Sequence, residues 1–257
     1  MEKRKARKWS RSELIVAISL YCQIPFGKMD SKNQYVAAIA TRLNRSPSSI
    51  ALKLVNFASL DPYHEARGVS GMRNVSKLDR EVWDEYYGSW DQLGVAIDIS
   101  SLESATSTVT GAPLDGNGGL YVTEVIRTEA KRRGQGFFRN AVLAAHDQKC
   151  CVTGIACRSL LRASHIIPWA TSEIERLNPE NGLCLNSLHD AAFDRGLITL
   201  TDDLEIVLSK KLSAKMPNEI FSAYFEKYEN RSICLPHRFI PGKSFIKYHR
   251  ENIFQIN

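Results

Sequence analysis

The stretch that decides the fold of the C-terminal half is CCVTGIACRSLLRASHIIPWA (residues 150–170), followed by RLNPENGLCLNSLHDAAFDRGLITL (176–200). His165 stands in a short β-prone run that Pro168 ends. Asn181 falls in a loop, directly before Gly182 and the apolar strand Leu183 to Leu185. Asn186 or Ser187 then starts a short helix, and Gly196, lacking Cβ, suits its C-terminal cap. The order is strand with histidine, loop, Asn-Gly, strand, and a helix rich in His and Asp. On that helix Asp190 and Asp194 are four apart, so their carboxylates share a face. His189 instead has Phe193 as its neighbour one turn on, which favours packing. Surface charge is the plainer account of the aspartates, with Asp190 favoured near the N-terminal dipole.

This order resembles the HNH, or ββα-metal, nuclease family. ASHIIPW (163–169), NPENGLCL (178–185) and LHDAAFDRGLIT (188–199) are similar to the branch found in many bacterial HNH nucleases of restriction type. The resemblance covers roughly residues 125–200, and YHRENIF (248–254) looks like a closing segment of the same branch. It implies that His165 is the general base and that Asn181 pins the loop orienting it. A neutral imidazole can take a proton from water near neutral pH. A divalent cation opposite can neutralise the leaving 3′ oxygen. For its ligands the resemblance points to Asp190 and Asp194, with His189 completing a literal H-N-H reading. Oxygen ligands favour Mg²⁺ or Mn²⁺ over Zn²⁺. One departure stands out: many family members carry a metal-binding Asp, Glu or His just before the base, and this chain has Ser164. A structural zinc is not expected, because Cys150, Cys151 and Cys157 have no matching second pair.

Upstream, VIRTEAKRRGQGFFRNAVLAAH (125–146) reads as a basic start to a helix burying Phe138, Val142 and Ala145. Arg132, Arg133, Gln135 and Arg139 are candidate phosphate contacts there. Downstream, residues 196–211 read as a hairpin with Asp202-Asp203 near its turn. Pro217 to Tyr228 suggests a helix burying Ile220 and Phe225. His249 and Arg250 could approach DNA or serve the structure.

The N-terminal half reads as all-helical. Ser10-x-x-Glu13 is a capping box, followed by Leu14, Ile15, Ile18 and Tyr21 at helical spacing. A second run carries Tyr35, Val36, Ile39, Ala40 and Leu43 and stops at Asn44-Arg45. Ser46-Pro47 starts a third helix with Ile50, Leu54 and Phe57 as its buried stripe. Ser49, Lys53 and Asn56 then share the opposite face. Two helices joined by a short turn resemble a helix-turn-helix, with that face reading DNA. A small helical domain with an ordinary wetted face would give the same pattern. A fourth helix, about Lys77 to Tyr87, is capped by Ser76 and brings Val82, Trp83 and Tyr86 to close the bundle. From Ile99 to Gly119 the chain is small, polar and Gly-rich, as in a flexible linker.

The expected organisation is α+β: a helical DNA-recognition domain over 1–98, a linker over 99–119, and a ββα-metal nuclease domain over 120–257. With 44% hydrophobic and 24% charged residues, the 257-residue chain is neither disordered nor fibrous. No run approaches the roughly 18 apolar residues that cross a membrane. The N-terminus lacks the apolar core of a signal peptide, so a cytoplasmic protein with reduced cysteines is expected. The net charge is +6, distributed as +8 over 1–60, −6 over 61–119 and +4 over 120–257. That layout suits contact with a phosphate backbone in two places. The expected activity is metal-dependent hydrolysis of double-stranded DNA, which the resemblance ties to restriction or defence. A homodimer would supply the two centres that double-strand cutting needs. The alternatives are a DNA-binding regulator with an inactive core, and a nuclease of structured or single-stranded nucleic acid, including RNA. The helix-turn-helix-like segment favours duplex DNA, since the A-form major groove excludes a helix.

Overall fold

The computed structural model describes residues 7–66, 75–97, 99, 119–214 and 216–256, and for 119–130 the backbone alone. The expected linker over 99–119 lies almost wholly outside the described residues. Two compact units emerge, Met1–Phe137 and Phe138–Asn257.

The first unit is built from helices that begin where hydroxyl and carboxamide caps stand. Ser10 closes a capping box with Glu13 and starts α1 (Arg11–Gln23). Asn33 caps α2 (Gln34–Arg42), and Ser46 with Pro47 starts α3 (Pro47–Ala58). A single turn, α4 (Pro62–Glu65), follows. Ser76 and Asp79 form a second capping box at α5 (Lys77–Tyr86), and α6 (Trp90–Ala96) follows. Between α2 and α3 the chain reverses through Asn44, whose positive φ of 49° asparagine tolerates better than most residues. Leu14, Ile18, Val36, Ile39, Ile50, Leu54, Phe57 and Val82 are all fully buried. Their burial packs α1 against α3, α5 and α6, and α2 against α3. Arg45 ties the turn to α1 through Glu13 at 2.8 Å. Its hydrogen bond holds the Glu13 carboxyl down at about 2.

The expected outer face of α3 needs correction. Lys53 is 7% exposed and its ammonium meets both Asp79 carboxylate oxygens, at 2.7 and 2.8 Å. Asn56 is likewise buried, and Ser49 is half-buried. Helix α5 supplies Asp79, so part of the polar face predicted to meet DNA is an internal contact. The residues of α3 that stay exposed are Ser48 and Leu52.

Helix α7 (Gly119–Ala145) leads into the second unit. There β1 (Leu161–His165) pairs antiparallel with β2 (Gly182–Asn186), with His165 opposite Gly182 and Leu161 opposite Asn186. Gly182 is required by close packing: a Cβ there would collide with Val142 and Phe138 of α7. Helix α8 (Ser187–Asp194), capped by Asn186, packs on both strands. It ends at Gly196, whose φ of +66° glycine adopts freely and whose missing Cβ leaves room for the Ile253 carbonyl. The hairpin β3 (Ile198–Leu200) and β4 (Ile206–Leu208) follows as expected. Helices α9 (Lys210–Ala214), α10 (Asn218–Tyr224) and α11 (Lys243–Asn252) complete the unit. Phe225 is buried, but Ile220 is 46% exposed, so the inward face of α10 differs from the sequence expectation. His249 of α11 is a structural clamp: it is buried, bonded to Thr199 Oγ1 at 2.9 Å and to the Phe193 carbonyl at 3.0 Å. Arg250 pairs with Asp202 at 2.7 Å. No helix among the described residues is long and apolar enough to cross a membrane.

Candidate active site

Strand alternation turns Arg162 and Ser164 to one face of β1 and His165 to the other. The His165 ring stacks on Phe138 with centroids 3.8 Å apart and planes 11° apart. Trp169 meets it edge-on at 5.5 Å. Nε2 lies 3.0 Å from the Arg176 carbonyl. A carbonyl only accepts, so Nε2 carries the proton of the neutral ring and Nδ1 keeps its lone pair. Burial lowers the imidazole pKa below its ordinary 6.5, opposed by the Arg176 bond and the Asp194 charge. The neutral form is therefore the resting form near pH 7.

Asn181 is 1% exposed and uses its whole carboxamide. Oδ1 accepts from Ile167 N at 2.8 Å, while Nδ2 donates to Ile167 O at 3.2 Å and Glu175 O at 3.1 Å. Its own carbonyl accepts from Ile166 N at 3.0 Å. These bonds fasten both ends of the loop that returns from His165 to the Arg176 carbonyl.

Asp190 and Asp194 come together one turn apart on α8, facing Ser164. The buried Ser164 hydroxyl donates to Asp194 Oδ1 at 3.3 Å. Asp190 is raised above its ordinary pKa by burial and by the Asp194 charge, against the pull of Ser164, Arg162 and Arg139. Asp194 is exposed in area, yet crowding of its carboxyl raises it too, against Ser164, His165 and Arg195. The pair could hold one divalent cation with water completing the shell. Among the described residues no three His, Cys, Asp or Glu side chains gather as a metal site.

Residues 150–201 match the family model described as HNH endonuclease. This segment belongs to the HNH endonuclease family. It supports nuclease activity and a nucleic-acid substrate. No curated protein matches the chain.

Around the HNH segment the other candidates separate. His189 does not join the two aspartates. It is 2% exposed, lies 5.1 Å from the Phe225 ring and 5.8 Å from Tyr228, and bonds Asn186. Burial holds its pKa at about 4, so it packs as a neutral ring. Arg139 is half-buried beside the site and donates to the Leu161 carbonyl at 3.0 Å. Arg132, Arg133 and Gln135 are exposed earlier on the same helix. Cys150, Cys151 and Cys184 are buried free thiols, and burial pushes Cys184 to about 12 and Cys151 well above the usual range. Sequence reasoning missed the Ser164–Asp194 hydrogen bond, the stacking of Phe138 on the histidine, and Arg162. Alternation along β1 carried a signal for Arg162, which lies two residues before Ser164 and so on the aspartate side.

Proposed function

We propose that this protein is a metal-dependent DNA endonuclease that hydrolyses phosphodiester bonds, acting in restriction of foreign DNA. The observation that carries this reading is the placement of a neutral His165, with Nδ1 unused by its carbonyl partner, near the Asp194 carboxylate that Ser164 holds one helical turn from Asp190. Two aspartates that repel each other suit a cation between them, and their oxygen chemistry suits Mg²⁺ or Mn²⁺. Bound there, such an ion supplies positive charge to the phosphate and the leaving 3′ oxygen.

The chain's own residues do the rest. His165 Nδ1 accepts a proton from the attacking water, and its lowered pKa keeps it ready to do so at neutral pH. The Arg176 carbonyl stabilises the imidazolium that results, and Phe138 holds the plane of the ring. Asn181 fixes the loop that presents that carbonyl. Asp190 and Asp194 are the proposed metal ligands, with Ser164 orienting Asp194. His189 is left out of this set because it is committed to the core.

We assign 120–257 to catalysis and the helices up to residue 98 to recognition of double-stranded DNA. Support for recognition comes from the basic charge at the N-terminus, since Lys53 and Asn56 are engaged internally. The test is cleavage of plasmid DNA, unmodified and cytosine-modified, and of single-stranded DNA and RNA, with Mg²⁺ or Mn²⁺. Duplex cutting by wild type that is lost in His165→Ala supports the proposal. Cutting of RNA alone overturns the substrate, and binding without any cutting overturns the enzyme.

A further inference from the structure

The start of β1 concentrates positive charge, with the Asp190 carboxylate near enough to feel it. Arg139 from α7 and Arg162 from β1 both donate to one acceptor, the Leu161 carbonyl, each at 3.0 Å. Arg162 also reaches the Ser159 carbonyl at 3.0 Å. Among the described residues neither forms an ion pair. Arg158, on the turn before the strand, adds a third guanidinium whose charge acts on Arg139. Burial, Arg162 and Arg158 together lower the Arg139 pKa, so these like charges crowd one another. Surface arginines on a solvated face spread apart. These two converge on one carbonyl, which places their remaining N–H groups side by side.

The convergence has a direction. Asp190 feels both Arg162 and Arg139, whereas Asp194 feels His165. The arginines therefore sit toward the start of β1 and the proposed hydrolytic groups toward its end. Arg162 and Ser164 are two residues apart on the same strand face, about 6.6 Å along the strand. That separation is comparable to the spacing of successive phosphates on one nucleic-acid strand. Paired guanidiniums suit phosphate because their planar N–H forks match its oxygens.

We infer that Arg139 and Arg162 form an anion subsite that grips the backbone phosphate next to the one being cut. This deepens the nuclease reading and rests on it for the identity of the ligand. By holding the neighbouring phosphate, the pair sets the register of the strand over His165, a positioning role separate from proton transfer. It also offsets the repulsion between a polyanionic backbone and the two aspartates.

The test is binding of a short duplex by fluorescence anisotropy across a salt series without divalent cation, so that nothing is cut. Arg162→Ala, at an exposed position, is the primary variant; Arg139→Gln is the second, with melting curves confirming the fold. The slope of log K against log salt should fall by about 0.9 for each variant. Arg162→Lys should restore the slope, because it returns the charge, but should recover cleavage only in part, because it lacks the fork. His165→Ala should keep the wild-type slope. If wild type cuts DNA and Arg162→Ala binds with an unchanged slope and cuts at the wild-type rate, the subsite is refuted while the nuclease stands. If wild type cuts nothing yet the slope falls in both arginine variants, the phosphate site stands and the nuclease reading fails.

Discussion

Helices α3 and α8 pose the same problem and solve it in opposite ways. Each carries polar side chains four residues apart, Ser49 and Lys53 on α3, Asp190 and Asp194 on α8. On α3, Lys53 meets Asp79 of α5 and is buried in a pair whose charges cancel. On α8, Asp194 accepts from the Ser164 hydroxyl, and its charge adds to burial in raising Asp190. Charge that the protein neutralises for itself marks a structural contact. Charge that forms no salt bridge among the described residues, as on the carboxylates of α8 and on Arg139 and Arg162 beside β1, marks a place built for something else. The unlike pairs Arg45–Glu13 and Arg250–Asp202 fall on the structural side of that division.

The largest effect should come from the base. His165→Ala should lower cleavage by about 10²–10⁴-fold, the usual worth of a positioned general base, with duplex binding unchanged. Cleavage measured alongside anisotropy checks this, and loss of binding in the same variant would move His165 to the structural side. The acidic limb of wild-type kcat/KM should lie below pH 6.5, because burial lowers the His165 pKa.

Lys53→Met should be costly to the fold. It would leave Asp79 buried without its cation, a change worth about 3–5 kcal/mol. Urea unfolding of the first unit should show this, whereas Ser49→Ala should stay within about 0.5 kcal/mol. A Lys53 variant that unfolds normally but binds DNA poorly would return that face to DNA recognition and break the contrast between the two helices.

Asp190→Asn should separate stability from function. A carboxylate whose folded pKa is raised above its unfolded value contributes stability below the unfolded pKa and loses it as pH rises through the folded one. At neutral pH without metal the Asp190 charge therefore costs stability, so the variant should melt higher than wild type in chelator. It should also bind Mn²⁺ more weakly, read by titration calorimetry. A variant that melts lower would show the aspartate to be structural.

A further effect is expected on acid stability. His189 and His249, both held at about 4 by burial, are depressed below the ordinary 6.5. Stability from such groups is present above the unfolded pKa and is lost as pH falls toward the folded one. Denaturant midpoints for the second unit should therefore decline steadily between pH 6.5 and 4. A flat profile would mean that these rings are not sequestered.

Much of this molecule is written locally. Ser10, Ser46 and Ser76 announce helix starts because a hydroxyl satisfies amides a few residues on. Gly196 marks the end of α8, and the stripe Ile50, Leu54 and Phe57 gives the buried side of α3. Helical geometry alone sets Asp190 and Asp194 on one face, and the motif around His165 and Asn181 points to the nuclease family. The sequence could not say what lies opposite a face, because that residue comes from a distant part of the chain. Asp79 turns Lys53 inward, Phe225 and Tyr228 enclose His189, and Ser164 holds Asp194. Arg139 and Arg162, from a helix and a strand, meet at one carbonyl only after α7 packs against β1 and β2. Period and capping are short-range properties, decided within a turn or two of the chain. Whether a polar face is solvent, core or site is decided by its neighbour in space, and only tertiary packing supplies that neighbour.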